Sequence, residues 1–357
     1  MKRTDDDKQE PLEPEEVAGT PTVEKAITVV GWQGVRCNLP PDWNVTGFSM
    51  DRESGYLRVD SPGEGSLTVQ IRWTDAAKPE VKTFYHVLAP HFRRWLRRPP
   101  PLPPKVDLKA NLEKFLKDIT KQAKKSGEKL EASTKSEKEE GENSERRAMN
   151  FSWTGNGRGQ GKIWYCSRCN RVLVAQVLGL GREQNAIASI ASRLFSSLED
   201  HSTNGYDLWA LYDLQVEIPE GFRLASQKLL SGYIQLVFQR GAERIVVDRW
   251  GLANVTLKKF SLKDWFTNHA NVALKRFSVT ETTEEGHERI RYVGKLTPLT
   301  RLRAVREAKL SLRNVPSCYE AETWHCPESN KIYAIQVWRH ARSLDVWDEV
   351  VRRCVCH

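Results

Sequence analysis

Apolar and polar residues alternate in several short stretches of this chain, and stretches of the same kind occur in both of its halves. In the segment 32–43, WQGVRCNLPPDW, the side chains of Val35, Cys37 and Leu39 fall on one face of a strand. The segment 211–222, LYDLQVEIPEGF, has apolar residues at the matching positions. Like the first segment, it has a proline three positions before the aromatic residue at its end. This period of two predicts half-buried antiparallel strands, with Cys37 as a small apolar residue of the core.

Four blocks recur in the same order in the two halves, which indicates a tandem duplication. The matched pairs are WQGVRCNLPPDW with LYDLQVEIPEGF, SGYLRV with SGYIQL, SLTVQIRW with ERIVVDRW, and KIWYCSRCNRVLVAQV with ETWHCPESNKIYAIQV. In this alignment Trp73 matches Trp250, and Trp164 matches Trp324. We therefore expect these two pairs of tryptophans to occupy the same places in two similar sheets.

The duplication divides the chain into a disordered tail at 1–24, a first module at 25–203 and a second module at 204–357. Each module also contains two segments with helical spacing of apolar residues. The first of these segments begins after Asp107 in the first module and after Ser261 in the second. This order, with the step from proline to an aromatic residue after the first strand, resembles the PsbP-like α/β/α sandwich. The resemblance implies an α+β fold of two tandem modules, each an antiparallel β-sheet with two helices in the order ββββ-α-βββ-α. It implies no catalytic residues, because that superfamily shares none.

Composition restricts the setting in which such a protein works. The chain of 357 residues has seven cysteines, and its N-terminal region lacks the apolar stretch of a signal peptide. We therefore predict a cytoplasmic protein with reduced thiols and no membrane span. The net charge of +9 permits an acidic partner such as nucleic acid, although a charge of this size is also ordinary for a protein of 40.9 kDa.

The two modules differ by extra segments in the first. An insertion at 78–106 contains a basic and aromatic cluster formed by Arg93, Arg94, Trp95, Arg97 and Arg98. This cluster is compatible with nucleic-acid binding, through charge and base stacking, or with a short amphipathic helix whose apolar side docks on the module. A second extra segment, 124–147, is almost free of apolar residues and predicts a flexible loop.

Cys166 and Cys169 form a CxxC motif that is predicted at the tip of a β-hairpin. Zinc needs four ligands, so a zinc site here would require donors from elsewhere. The C-terminal residues Cys354, Cys356 and His357 are the candidates if the two modules meet, and Cys318 is a further one.

Two observations weigh against zinc at this motif and favour a hairpin feature without metal, with zinc and a redox pair as the alternatives. Ser329 stands at the position of Cys169 in the second module, and the C-terminal donors belong to the other copy. A redox pair normally opens a helix, which this motif does not. We expect no stoichiometric zinc.

No other motif points to an enzyme. The glycines from Gly155 to Gly161 fit neither a GxGxxG motif nor a P-loop and predict a mobile hairpin turn, and the histidines show no metal or triad spacing. The sequence favours a non-enzymatic binding or scaffold protein with an unidentified protein partner. The alternatives are a nucleic-acid-associated protein that uses the basic insertion, and an enzyme with a site between the modules.

Overall fold

The computed structural model describes residues 27–51, 53–63, 67–76, 106–125, 127–136, 146–180, 184–270, 272–299, 301, 315–343 and 345–356. These residues are 52% strand and 21% helix, and the strands form three antiparallel sheets. The protein is therefore mostly β, and the prediction of an α+β fold of two PsbP-like modules is wrong.

The first half contains β1 (Thr28–Trp32), β2 (Val35–Leu39), β3 (Asn44–Met50), β4 (Ser54–Asp60), β5 (Thr68–Asp75), α1 (Leu108–Lys125), β6 (Glu131–Ser136), β7 (Arg146–Thr154), β8 (Gly157–Cys166), β9 (Arg171–Leu180) and α2 (Gln184–Ser197). The second half contains β10 (Tyr206–Leu211), β11 (Leu214–Pro219), β12 (Arg223–Leu230), β13 (Tyr233–Arg240), β14 (Glu243–Gly251), α3 (Ala253–Thr256), α4 (Leu262–His269), a 3₁₀ turn (Leu274–Arg276), β15 (Ser278–Glu284), β16 (His287–Lys295), β17 (Cys318–Cys326), β18 (Lys331–Arg339), α5 (Asp345–Arg352) and β19 (Cys354–Val355).

Two of the sheets have seven strands each and share one strand order. The first sheet runs β3-β4-β5-β9-β8-β7-β6, and the second runs β12-β13-β14-β18-β17-β16-β15. Each strand of the second sheet therefore takes the place of the strand whose number is lower by nine, so that β12 corresponds to β3 and β18 corresponds to β9. Within both sheets all neighbouring strands are antiparallel.

The third sheet joins the two halves of the chain. It has the order β19-β11-β10-β1-β2, so a hairpin from each half contributes to it. Strands β1 and β10 meet where Gly31 pairs with Ala210. A Cβ atom at Gly31 would lie 2.7 Å from the carbonyl oxygen of Leu208, so only glycine permits this close approach.

One continuous core connects this shared sheet to one face of each seven-stranded sheet. At its centre the ring of Trp209 lies 4.9 Å from the ring of Trp32 and 4.9 Å from the ring of Phe238. Because the halves share a sheet and a core, they are not separate sandwiches, which is the physical reason that the predicted module architecture fails.

Helices α1 and α4 pack on the face of each seven-stranded sheet that points away from the central core, whereas α2 and α5 contribute buried residues to that core. The Asp107 carboxylate accepts a hydrogen bond from the backbone N–H of Ala110 at 3.0 Å, and the Ser261 hydroxyl accepts one from that of Asp264 at 3.1 Å. Both predicted helix starts are therefore confirmed as N-caps. No helix in the described part of the chain is long and apolar enough to cross a lipid bilayer.

The register between strands corrects one pair of the tryptophan alignment. Trp73 pairs with Leu173, whereas the residue that pairs with the corresponding Tyr333 is Arg249 and not Trp250. Trp73 consequently faces the central core, while Trp250 packs on the opposite face of its own sheet. A shift of one residue moves a side chain to the other face of a strand, so the predicted match is wrong.

The extra segments are only partly described. The predicted flexible loop at 124–147 is wrong in part, because its first residues end α1 and the stretch 131–136 is the edge strand β6, paired with β7. Residues 137–145 lie outside the described residues, as do the tail 1–24 and nearly all of the insertion 78–106.

Candidate metal centre

The CxxC motif lies at the end of the β8–β9 hairpin, as predicted. Cys166 is the last residue of β8 and pairs with Arg171, the first residue of β9. Asn170 closes the turn in a left-handed conformation, with φ of 54°, and its side chain donates a hydrogen bond to the carbonyl of Ala76 at 3.1 Å. Cys166 is buried and Cys169 is half-buried. The turn therefore holds both sulfur atoms on the same side of the hairpin tip.

The segment after α2 brings two further donors to this tip. The backbone of Glu199 exchanges two hydrogen bonds with that of Arg36, at 3.0 and 2.9 Å, which ties the segment to β2. The next two residues are Asp200, which is fully buried, and His201. The indole N–H of Trp164 donates to Asp200 Oδ2 at 2.9 Å and fixes the orientation of the carboxylate.

Cys166, Cys169, Asp200 and His201 form the first cluster, in which one donor atom from each residue lies within 4.8 Å of the others. His201 Nδ1 lies 3.6 Å from Cys166 Sγ and 2.8 Å from Asp200 Oδ1. Two sulfurs, one imidazole nitrogen and one carboxylate oxygen are the donor types that zinc prefers, and four is the coordination number of a structural zinc site.

The thiols of the first cluster share a proton. Cys169 donates a hydrogen bond to Cys166, which lowers the pKa of Cys166 to about 6 and raises the pKa of Cys169 above its ordinary value. The lowered pKa of Cys166 favours its thiolate, which is the form that binds metal.

A second cluster lies at the corresponding end of the second seven-stranded sheet. It consists of His287, Cys326 and Cys356, whose donor atoms also lie within 4.8 Å of one another. Cys356 Sγ is 3.5 Å from His287 Nε2, and the thiol of Cys326 accepts a hydrogen bond from the backbone N–H of Ser329 at 3.5 Å. Among the residues that the structure describes, no other group of three or more His, Cys, Asp or Glu residues has donor atoms this close together.

The structure does not bring together the predicted set of ligands. Cys356 lies beside Cys326 instead of the CxxC motif. Cys354 pairs with Val216 in the shared sheet, and burial raises its pKa. Cys318 begins β17 and so lies at the opposite end of that strand from Cys326. The C-terminal cysteines were candidate donors only if the end of the second module reached the CxxC hairpin, and Cys356 instead lies in the second cluster.

Two of the predicted site regions lie outside the described residues. These are His357 and the basic cluster Arg93, Arg94, Trp95, Arg97 and Arg98. Sequence reasoning also missed Asp200, His201 and His287. The only available signal was positional, since Asp200 and His201 follow the last helix of the first half as Cys354 and Cys356 follow that of the second.

The glycine series next to the motif has a packing role and is not a mobile turn. Only Gly155 is part of the turn, and the glycines from Gly157 onward belong to β8. A Cβ atom at Gly159 would lie 2.3 Å from the ring of Trp153. One at Gly161 would lie 2.2 Å from the ring of Phe151, so these glycines make room for aromatic residues of β7.

Comparisons with known proteins give little further information. No model of a protein family matches the chain, and no curated protein matches it. Among solved structures, the apo form of immunity protein TplEi of the T6SS from Pseudomonas aeruginosa is similar at 10% identity. The similarity covers 93% of this chain and 98% of that one, with a TM-score of 0.30.

Proposed function

We propose that this chain is a non-enzymatic binding or scaffold protein whose β framework is held by a structural zinc ion at the first cluster. The observation that supports the proposal is the meeting of Cys166, Cys169, Asp200 and His201 at one point, although they come from two separate segments. A zinc ion there would join the β8–β9 hairpin to the segment that follows α2. This proposal replaces the expectation of no stoichiometric zinc, which depended on the lack of further ligands.

The donor set favours a structural role over a catalytic one. Catalytic zinc normally has three protein ligands and an open position for water or substrate, whereas structural zinc has four protein ligands. Cys166 and Asp200 are also buried, so little solvent reaches the cluster. The junction between the halves is filled by Trp32, Trp209 and Phe238 in the described part of the chain, which gives no support to an enzyme with its site between modules.

Metal analysis of the full-length protein, purified and then equilibrated with zinc, tests the proposal. We expect Cys169→Ser to lower the bound zinc by one ion per chain and to lower the midpoint of thermal unfolding, since metal binding and folding are coupled. Cys318→Ser is the matched control, because this thiol is also half-buried but lies outside both clusters.

Two results would overturn the zinc assignment. Equal zinc content in Cys169→Ser and the wild type would leave the cluster as a hydrogen-bonded hairpin feature. A disulfide between Cys166 and Cys169 in the native protein, detected by mass spectrometry after alkylation, would favour a redox pair.

We also propose a cytoplasmic location, in keeping with the free cysteines, and an origin of the two halves by duplication, supported by the common strand order of the seven-stranded sheets. Nucleic-acid binding through the insertion 78–106 is the second candidate function. Its test is the affinity for RNA and DNA as a function of salt, which should fall steeply as salt rises if phosphates are bound. Weak binding that does not depend on salt would exclude it.

A further inference from the structure

We infer that His287, Cys326 and Cys356 form a second zinc site, for which the described chain supplies three donors. This inference does not depend on zinc at the first cluster, because the two clusters share no residue. It concerns a half of the chain in which the CxxC motif is absent, so the motif itself gives no hint of the site.

The geometry brings three donors together from three separate elements. Cys326 is the last residue of β17, His287 is the first residue of β16, and Cys356 follows β19 near the C-terminus. Glu288 of β16 pairs with His325 of β17, so His287 and Cys326 are the next pair along these strands. Cys326 and His287 are both buried, and His287 presents Nε2 to Cys356 Sγ at 3.5 Å.

The location of the second cluster supports the inference independently of the distances. Cys166 ends β8 and Cys326 ends β17, which are the matching strands of sheets with the same order. In both places the remaining donors include residues that follow the last helix of the half, Asp200 and His201 in one case and Cys356 in the other. Two groups of metal-binding side chains, built from different residues, thus occupy the same place in two similar sheets.

The second hairpin lacks the second cysteine of the CxxC motif, and a histidine from the neighbouring strand supplies a donor in its place. Ser329 stands in the second hairpin where Cys169 stands in the first, and a hydroxyl is a poor zinc ligand. His287 comes from the neighbouring strand instead and supplies an imidazole nitrogen, a good ligand for zinc. With three described donors, the second site should bind zinc more weakly than the first and should exchange it with chelators sooner.

Zinc titration of the metal-free, full-length protein tests the inference. We expect the wild type to take up two zinc ions per chain, one of them more weakly. Cys356→Ser and His287→Ala should each abolish the weaker uptake and keep the tight one, whereas Cys169→Ser should abolish the tight uptake and keep the weaker one. Cys318→Ser is again the control, and circular dichroism verifies that every variant is folded.

A measurement on the wild type covers the case in which a variant does not fold. Zinc should protect Cys356 from alkylation, as determined by mass spectrometry of the labelled peptides, and protection should be lost when a chelator is added. Uptake of a single zinc ion that Cys169→Ser removes, together with no protection of Cys356, would refute the second site while supporting the first. Two zinc ions that remain bound in Cys356→Ser and His287→Ala would place the second ion elsewhere and also refute it.

Discussion

Replacing Gly161 by alanine should destabilise the protein, although alanine is normally the better residue in a folded chain. Gly161 lies in β8 and pairs with Phe151 of β7. The new Cβ atom would lie 2.2 Å from Cζ and 2.6 Å from Cε2 of Phe151, whereas ordinary contacts are 3.4–4 Å. Phe151 is 2% exposed, and its ring packs edge-on against Phe115 of α1 at a centroid distance of 5.5 Å. A shift of the ring away from the new Cβ atom would therefore disturb its packing against Phe115.

The expected size of the effect follows from two opposing contributions. Overpacking a filled core costs about 1–3 kcal/mol. Removing the flexibility of glycine from the unfolded chain returns roughly 0.4–1 kcal/mol. We therefore expect Gly161→Ala to lower the free energy of unfolding by about 1–2 kcal/mol. Gly232→Ala is the control, because a Cβ atom at that position would have open space within 4 Å, and this change should be neutral or slightly stabilising.

Urea denaturation of Gly161→Ala, Gly232→Ala, Phe151→Ala and the double variant Gly161→Ala with Phe151→Ala measures these contributions. Without the Phe151 ring the clash disappears, so the double variant should be no less stable than Phe151→Ala alone. The reasoning is refuted if Gly161→Ala is as stable as the wild type, or if its loss persists unchanged in the double variant.

Three further predictions concern titratable side chains. Burial raises the pKa of Asp207 to about 6, above the unfolded value of about 4, so its contribution to stability is present below pH 4 and is lost as the pH rises through 6. Asp207→Asn has no such charge, so its free energy of unfolding relative to that of the wild type should be about 2 kcal/mol higher at pH 7.5 than at pH 4. The same relative stability at both pH values would contradict this. Burial raises the pKa of the Cys37 thiol to about 12, so Cys37 should resist alkylation at pH 8 until urea unfolds the protein, and rapid native labelling would contradict its place in the core. Glu320, which is 3% exposed, accepts a hydrogen bond from Arg339 Nε at 3.0 Å, so Glu320→Gln should lower the free energy of unfolding in urea by about 3–5 kcal/mol. Glu281→Gln is the control, because Glu281 forms an exposed ion pair with Lys263, and it should cost far less. Similar losses in the two variants would refute the argument.

The alternation of apolar and polar residues was sufficient to predict several local features. The strand at 35–39 buries Val35, Cys37 and Leu39 as its period of two requires. The helix starts at Asp107 and Ser261 could also be predicted, because an N-cap depends on residues only a few positions apart. The hairpin that carries the CxxC motif belongs to the same class of local features.

Only the tertiary structure decided how the sheets are built and which donors meet. The pairing of β1 with β10 joins residues far apart in the chain, and no local pattern reports it, so the two halves were expected to fold as separate α+β modules. An error of one residue in the alignment placed Trp250 on the face of Trp73, because a strand reverses the direction of its side chains at every residue. Asp200 and His201 show no metal-ligand spacing in the sequence, and their approach to Cys166 depends on the backbone hydrogen bonds that tie the segment after α2 to β2. Contacts between elements distant in sequence created both candidate metal sites, and for this reason sequence periodicity identified the hairpin but not its ligands.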